Sequence, residues 1–212
     1  MSEGRKITIL GMGPSSIERR LDILRYCEGT EIWTLNNAYL TFGHIQDKVT
    51  RWFELHSFDY LRTWDAGVQD HFRHLDKIGC EVITSEQLPV IRNQVVVNWM
   101  DVFTHFAFAG GQASNYFLGS PSLMLAWALW EHDHGKPVSM IQSFGIDTSD
   151  PTHKQQRQSW AYWCAHAHAR KIVLSGTMVD FFSEPEIDKG LQGLRERIGD
   201  ELMKQNAGKQ EV

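Results

Sequence analysis

Short apolar runs alternate along the chain with stretches whose apolar residues recur every three or four positions, the strand and helix periods respectively. Ile7, Ile9 and Leu10 form the first run, which breaks into Gly11-Met12-Gly13-Pro14 and leads to a helical pattern over Ile17–Cys27. Glu31–Leu35 reads as a second strand ending at Asn36-Asn37, Ala38–Ile45 as a short helix, and Thr50–Leu55 as a third strand ending at His56. Asp59–Ile78 is amphipathic and suits one surface helix or a pair; Glu81–Thr84 is a short strand, and Val95–Trp99 is either another or an edge loop. Ser120-Pro121-Ser122 opens a helix with Pro121 at its first helical position. The apolar residues Leu123–Trp130 bury that helix, and Gly135 stops it. Val138–Gln142 follows as an interior strand, Gln155–Arg170 as a helix and Lys171–Leu174 as a last strand.

Strands and helices that alternate in this way predict an α/β, Rossmann-like fold with a mostly parallel sheet and helices on both faces. It would occupy residues 1–183, with a charged helical tail over 184–212. Phe106–Tyr116, aromatic and with adjacent glycines, is either a loop over the site or a plain connector.

Ligands of such sheets bind beyond the carboxyl ends of the strands. The polar residues predicted there are Ser15 and Ser16, Asn36 and Asn37, Glu54 and His56, and Asp147 after the strand at Val138–Gln142. Ser15 or Ser16 would cap the first helix, and the amides of its first turn would attract an anion, phosphate above all. The spacing is neither the dinucleotide fingerprint nor a P-loop, so a turn that binds nothing is the other reading. Asp147 would hold a metal ion, bind a hydroxyl or take a proton, or else cap the helix that follows.

Composition narrows the classes. The 212 residues suffice for one domain with a sizeable core, and 42% hydrophobic with 22% charged residues describes an ordinary globular chain. A net charge of -5 argues against a general nucleic-acid coat, without excluding a local basic groove. Cys27, Cys80 and Cys164 lie far apart among apolar neighbours and read as buried thiols of a reducing, cytoplasmic compartment. No apolar stretch is long enough to span a bilayer, and the first strand follows directly on MSEGRK without a signal peptide. His132 with His134 and His166 with His168 fall two apart, off a common helix face, and read as non-ligands.

The ordered set of motifs resembles a known family. GMGPSS is similar to the G-x-G-P-S motif of the archaeal 6-hydroxymethyl-dihydropterin pyrophosphokinases and flagellin motility accessory factors. Ser122, the helix Leu123–Trp130, Gly135 and Gly145-Ile146-Asp147 resemble the family's second signature. Trp33 to Tyr39, Arg51 to His56, and Gln156-Arg157 ahead of Trp160 and Tyr162 look like segments of small phage-encoded versions. The resemblance covers roughly residues 6–175. It implies a Rossmann-like core and transfer of a pyrophosphoryl or sugar group in a host cytoplasm.

The expected ligand is therefore a nucleotide, ATP or a nucleotide sugar, with Mg2+ as a companion ion. Gly11, Gly13, Pro14, Ser15 and Ser16 would cradle phosphates, Asn36 and Asn37 the ribose or base, and Ser122 and Arg157 would complete the pocket. Asp147 and Glu54 would organise Mg2+ or the acceptor hydroxyl, and His56 would act as general base. A binding protein that sequesters a nucleotide without turnover, and a protein whose Trp-rich helices meet a macromolecule, are the other two readings. A homo-oligomer is expected in each case.

Overall fold

The computed structural model describes residues 4–64, 67–106, 119–146 and 154–176. Among the described residues seven strands make one sheet: β1 (Arg5–Leu10), β2 (Glu31–Leu35), β3 (Val49–Glu54), β4 (Glu81–Thr84), β5 (Gln94–Val96), β6 (Val138–Phe144) and β7 (Val173–Gly176). Every pairing is parallel, in the order β5-β4-β3-β2-β1-β6-β7. The fold is α/β and Rossmann-like. Succession runs outward from β1 to β5 and then resumes on the other side with β6, so the topological switch lies between β1 and β6.

Period-two alternation splits the core across the sheet. Ile7, Ile9, Trp33, Leu35 and Phe53 face α6 (Trp99–Phe106), α7 (Ser120–Asp133) and α8 (Lys154–Ala169). Leu10, Ile32, Trp52 and Val82 face α3 (Tyr39–Phe42), the 3-10 turn Gly43–Lys48 and α5 (Gly67–Lys77). Thr8, Thr34 and Gln142 share that second face. Gln142 Nε2 lies 2.6 Å from Thr8 Oγ1, and Thr34 Oγ1 donates to Leu10 O at 2.8 Å, so these buried polar groups are satisfied.

The structure departs from the sequence pattern in two places, the first helix and Trp99, and resolves the Asp59–Ile78 alternative in favour of a pair. The helix expected over 17–27 is two single turns, α1 (Pro14–Ile17) and α2 (Ile23–Tyr26). Ile17, Leu21 and Leu24 form the visible apolar stripe, yet all three are exposed, Leu21 to 87%, while Ile23 and Cys27 enter the core. The stripe thus has no surface to bury and no reason to hold one continuous helix. Trp99 opens α6 instead of closing a strand, and β5 ends at Val96 as the sheet edge. The Asp59–Ile78 stretch forms the helix pair α4 (Phe58–Arg62) and α5. Of Phe106–Tyr116 only Phe106 is described, and Asp147 and the tail 184–212 lie outside the described residues.

Candidate functional site

Alternation along β3 sends Trp52 and Glu54 to one face and Arg51 and Phe53 to the other. Glu54, the last residue of the strand, is fully buried at the carboxyl edge, where an unpaired carboxylate would be costly. Both of its oxygens are engaged. Oε1 accepts from His56 Nδ1 at 2.7 Å and from the His56 amide at 3.2 Å; Oε2 accepts from His71 Nε2 at 2.7 Å. The opposite ring nitrogen of His71, Nδ1, lies 3.0 Å from the Tyr39 hydroxyl. Burial works to raise the Glu54 pKa, but the hydrogen bonds and charges of His56 and His71 outweigh it and hold the carboxyl below its ordinary value.

Local structure fixes each partner. His71 sits on the apolar stripe of α5 with Val68, Phe72 and Leu75, so the packing of that helix presses its ring onto Glu54. Ser57 caps α4, its Oγ accepting from the Tyr60 amide at 3.2 Å, and the first turn then brings Tyr60 against His56. The two rings stack at 4.9 Å, and Trp64 approaches His56 edge-on at 5.8 Å. Tyr39 is stacked on His74 at 3.9 Å, and His74 Nε2 lies 2.9 Å from Gln46 Oε1. His71 is buried, whereas the His56 side chain is 29% exposed. Nε2 of His56 makes no hydrogen bond among the described residues, and in a neutral ring with its proton on Nδ1 toward Glu54 it carries the lone pair.

Asn36 stands beside Glu54, because Leu35 pairs with Phe53 and the Asn36 amide donates to Phe53 O at 2.9 Å. Its φ of 51° is left-handed, a costly conformation for a side-chain-bearing residue, and Oδ1 is buried without a hydrogen-bond partner. Trp52 Nε1 donates to the Asn36 carbonyl at 2.9 Å and holds it. Asn37 is half-buried, with its carbonyl accepting from Leu40. These two asparagines and the Glu54–His56 pair end adjacent strands, which lie about 4.8 Å apart.

The glycine turn is built differently from the expected phosphate cradle. The N-cap is Gly13, not a serine, and Pro14 has no amide. The amides of Gly11 and Gly13 donate to Phe144 O and Gly145 O, and those of Ser16 and Ile17 to Gly13 O. Ser16 is fully buried, its hydroxyl 2.7 Å from Gly11 O, while Ser15 Oγ accepts from the Gly145 amide at 2.8 Å. Gly11 is required because a Cβ there would collide with the Gly145 carbonyl; Gly145, at φ 70°, is hemmed in by Ser16 and Gly11. The small residues thus seat the β1 turn against the β6 turn at the switch point, and they leave few amides for an anion. Ser122 is buried in the first turns of α7 and Arg157 is half-buried in those of α8. Gly119, which precedes α7, abuts the Gln156 side chain, so the starts of the two helices meet.

No family model matches the chain, and neither does any curated protein or solved structure. Functional assignment therefore rests on the site itself. Among the described residues no group of three or more His, Cys, Asp or Glu is arranged to hold a metal ion. Glu54 is poorly placed as a Mg2+ ligand, since it is fully buried and already accepts three hydrogen bonds from His56 and His71. What the arrangement can do is proton chemistry. A buried carboxylate orients His56 through Nδ1 and would stabilise the imidazolium formed when Nε2 takes a proton. His71, His74, Tyr39, Tyr60 and Trp64 were not anticipated from sequence; the one available signal was a histidine at a core position of the α5 stripe.

Proposed function

We propose that the protein is a nucleotide-dependent transferase. It moves a phosphoryl, pyrophosphoryl or glycosyl group from a nucleotide donor to an acceptor hydroxyl, and His56 takes the proton of that hydroxyl. The carrying observation is the Glu54–His56 pair at the carboxyl edge of a parallel sheet, with Nε2 of His56 as its open end. As the acceptor oxygen attacks the transferred group, its proton passes to Nε2, the bond from that group to the donor's phosphate oxygen breaks and the nucleotide leaves with the electron pair, and the Glu54 carboxylate balances the charge on the ring. Asn36 and Asn37, on the neighbouring strand, border the acceptor. The donor lies toward the switch point. α7 and α8 each lead into a strand of the sheet, so their N-termini point to this same edge, and their dipoles favour an anion there together with Arg157. A Mg2+ ion would arrive on the donor's phosphates and neutralise their charge.

A nucleotide-binding protein without turnover is the second reading, favoured by the Tyr60 ring, which is 51% exposed and stacked beside His56 as a platform for a base. Incubation with mixed nucleoside triphosphates, nucleotide sugars and Mg2+, followed by denaturation and mass spectrometry of the released molecules, separates the two. Conversion of a nucleotide supports the transferase. Recovery of an intact nucleotide supports the binder, and absence of any bound or converted nucleotide sinks both.

A further inference from the structure

Glu54 is the middle of a longer hydrogen-bonded chain, and the far end of that chain has a task the pair alone does not explain. A carboxylate only accepts hydrogen bonds, so each imidazole nitrogen that touches Glu54 carries a proton: Nδ1 of His56 and Nε2 of His71. When His71 is neutral it presents a bare Nδ1, and the Tyr39 hydroxyl 3.0 Å away is placed to donate to it. In that state the direction runs from the Tyr39 hydroxyl to His71 and from both histidines into Glu54. One tautomer of His56 satisfies it, and that tautomer leaves the lone pair on Nε2, which makes no hydrogen bond among the described residues.

We propose that His71 and Tyr39 are positioning residues for His56, holding Glu54 in the orientation that selects this tautomer and keeps Nε2 as the reactive atom. The inference deepens the transferase reading, in which Nε2 is the proton acceptor. The geometry supports it independently of the ligand. His71 Nε2 donates to Oε2 while His56 meets Oε1, so the buried His71 ring helps set the carboxylate plane that His56 meets. The Tyr39 ring is stacked on His74 at 3.9 Å and lies 6.2 Å from the Trp52 ring, contacts that hold its hydroxyl oxygen beside His71. Burial, then the charges of Glu54 and Asp70, raise the Tyr39 pKa and keep its hydroxyl protonated as the donor.

The test reads His56 directly. Long-range 1H–15N NMR of the ring nitrogens reports the tautomer, and the rate of ethoxycarbonylation by diethylpyrocarbonate, mapped to His56 by peptide mass spectrometry, reports the reactivity of Nε2. Wild type is expected to show His56 as the single Nδ1–H tautomer. In His71→Phe the tautomers mix and the His56 rate falls roughly five-fold, the equivalent of one net hydrogen bond. Tyr39→Phe, which removes only a hydroxyl, gives a smaller change in the same direction. His71→Gln, whose amide can donate to Oε2, restores the wild-type pattern. Mixed His56 tautomers in the wild type overturn the proposal, as does an unchanged tautomer and rate in folded His71→Phe and Tyr39→Phe. Should His71→Phe fail to fold, Tyr39→Phe decides. Neither readout uses a nucleotide, so a protein that shows the expected tautomer but converts no nucleotide would keep the positioning chain and lose the transferase.

Discussion

Arg51 and Glu54 are three residues apart on β3, and each enters a buried cluster built around one carboxylate. At the amino edge Glu131, with a side chain only 1% exposed, meets Arg5 at 2.9 Å, Arg51 at 2.7 Å and Lys136 at 2.9 Å. Glu31 and Glu81 complete the network, and both arginines lie over the Trp33 ring. At the carboxyl edge Glu54 meets two imidazoles, one of them partly open to solvent. In the first cluster the partners are two arginines and a lysine, each ion-paired to one or more carboxylates, an arrangement suited to holding elements together. In the second the partners are imidazoles, side chains able to give or take a proton, and Nε2 of His56 makes no hydrogen bond among the described residues. Burial of a charge is common to both, and the chemistry of the partners separates structure from candidate function.

That contrast can be broken by substitution. The largest stability effect belongs to the amino edge. Glu131→Gln leaves Arg5, Arg51 and Lys136 without their shared anion and is expected to cost about 3 kcal/mol in urea unfolding. This lies at the low end for a broken buried pair, because the Arg5 and Arg51 side chains are 22% and 14% exposed and keep Glu31 and Glu81. Glu54→Gln should cost less, about 1–2 kcal/mol, since the amide oxygen still accepts from one imidazole. A larger loss there than at Glu131 would reverse the assignment of roles.

Acid unfolding sharpens the same point. Burial raises the Glu131 pKa and the Arg51 and Lys136 hydrogen bonds lower it further than that, so it too sits below its ordinary value. For both carboxylates the folded pKa is depressed. Each therefore contributes stability that is present above the unfolded value near ~4.3 and is lost as pH falls through the folded one. Glu131→Gln and Glu54→Gln should each show a shallower loss between pH 7 and pH 3 than wild type in urea titrations. An unchanged acid limb in either variant would contradict its pairing. The smallest effect is His56→Ala, expected within about 0.5 kcal/mol of wild type, because a partly exposed ring is lost and Glu54 keeps His71. A loss above roughly 2 kcal/mol would make His56 a structural residue.

The sheet was legible because its strands are short apolar runs bounded by polar turns. β2 and β4 fall on the expected residues, and the parallel topology follows from the alternation with helices. The first helix was misread because Ile17, Leu21 and Leu24 mimic a buried stripe that tertiary packing leaves exposed. α6 was missed because aromatic and β-branched residues such as Trp99, Val102 and Phe103 suit either period. Glu54 and His56 were visible as polar residues at a strand end. Their setting was not, since Tyr39 and His71 are 32 positions apart in the chain and are joined only when α5 packs on β3. The glycine turn was legible only as spacing: glycines that admit a ligand and glycines that admit another turn look alike in sequence, and here Gly11 and Gly145 make room for each other.

The most direct measurement is nucleotide turnover by wild type and by His56→Ala, side by side, with mixed nucleoside triphosphates, nucleotide sugars and Mg2+. The account predicts conversion by wild type and a fall of roughly 100-fold or more in a folded His56→Ala. Equal turnover by the two proteins, or none by wild type, would contradict it.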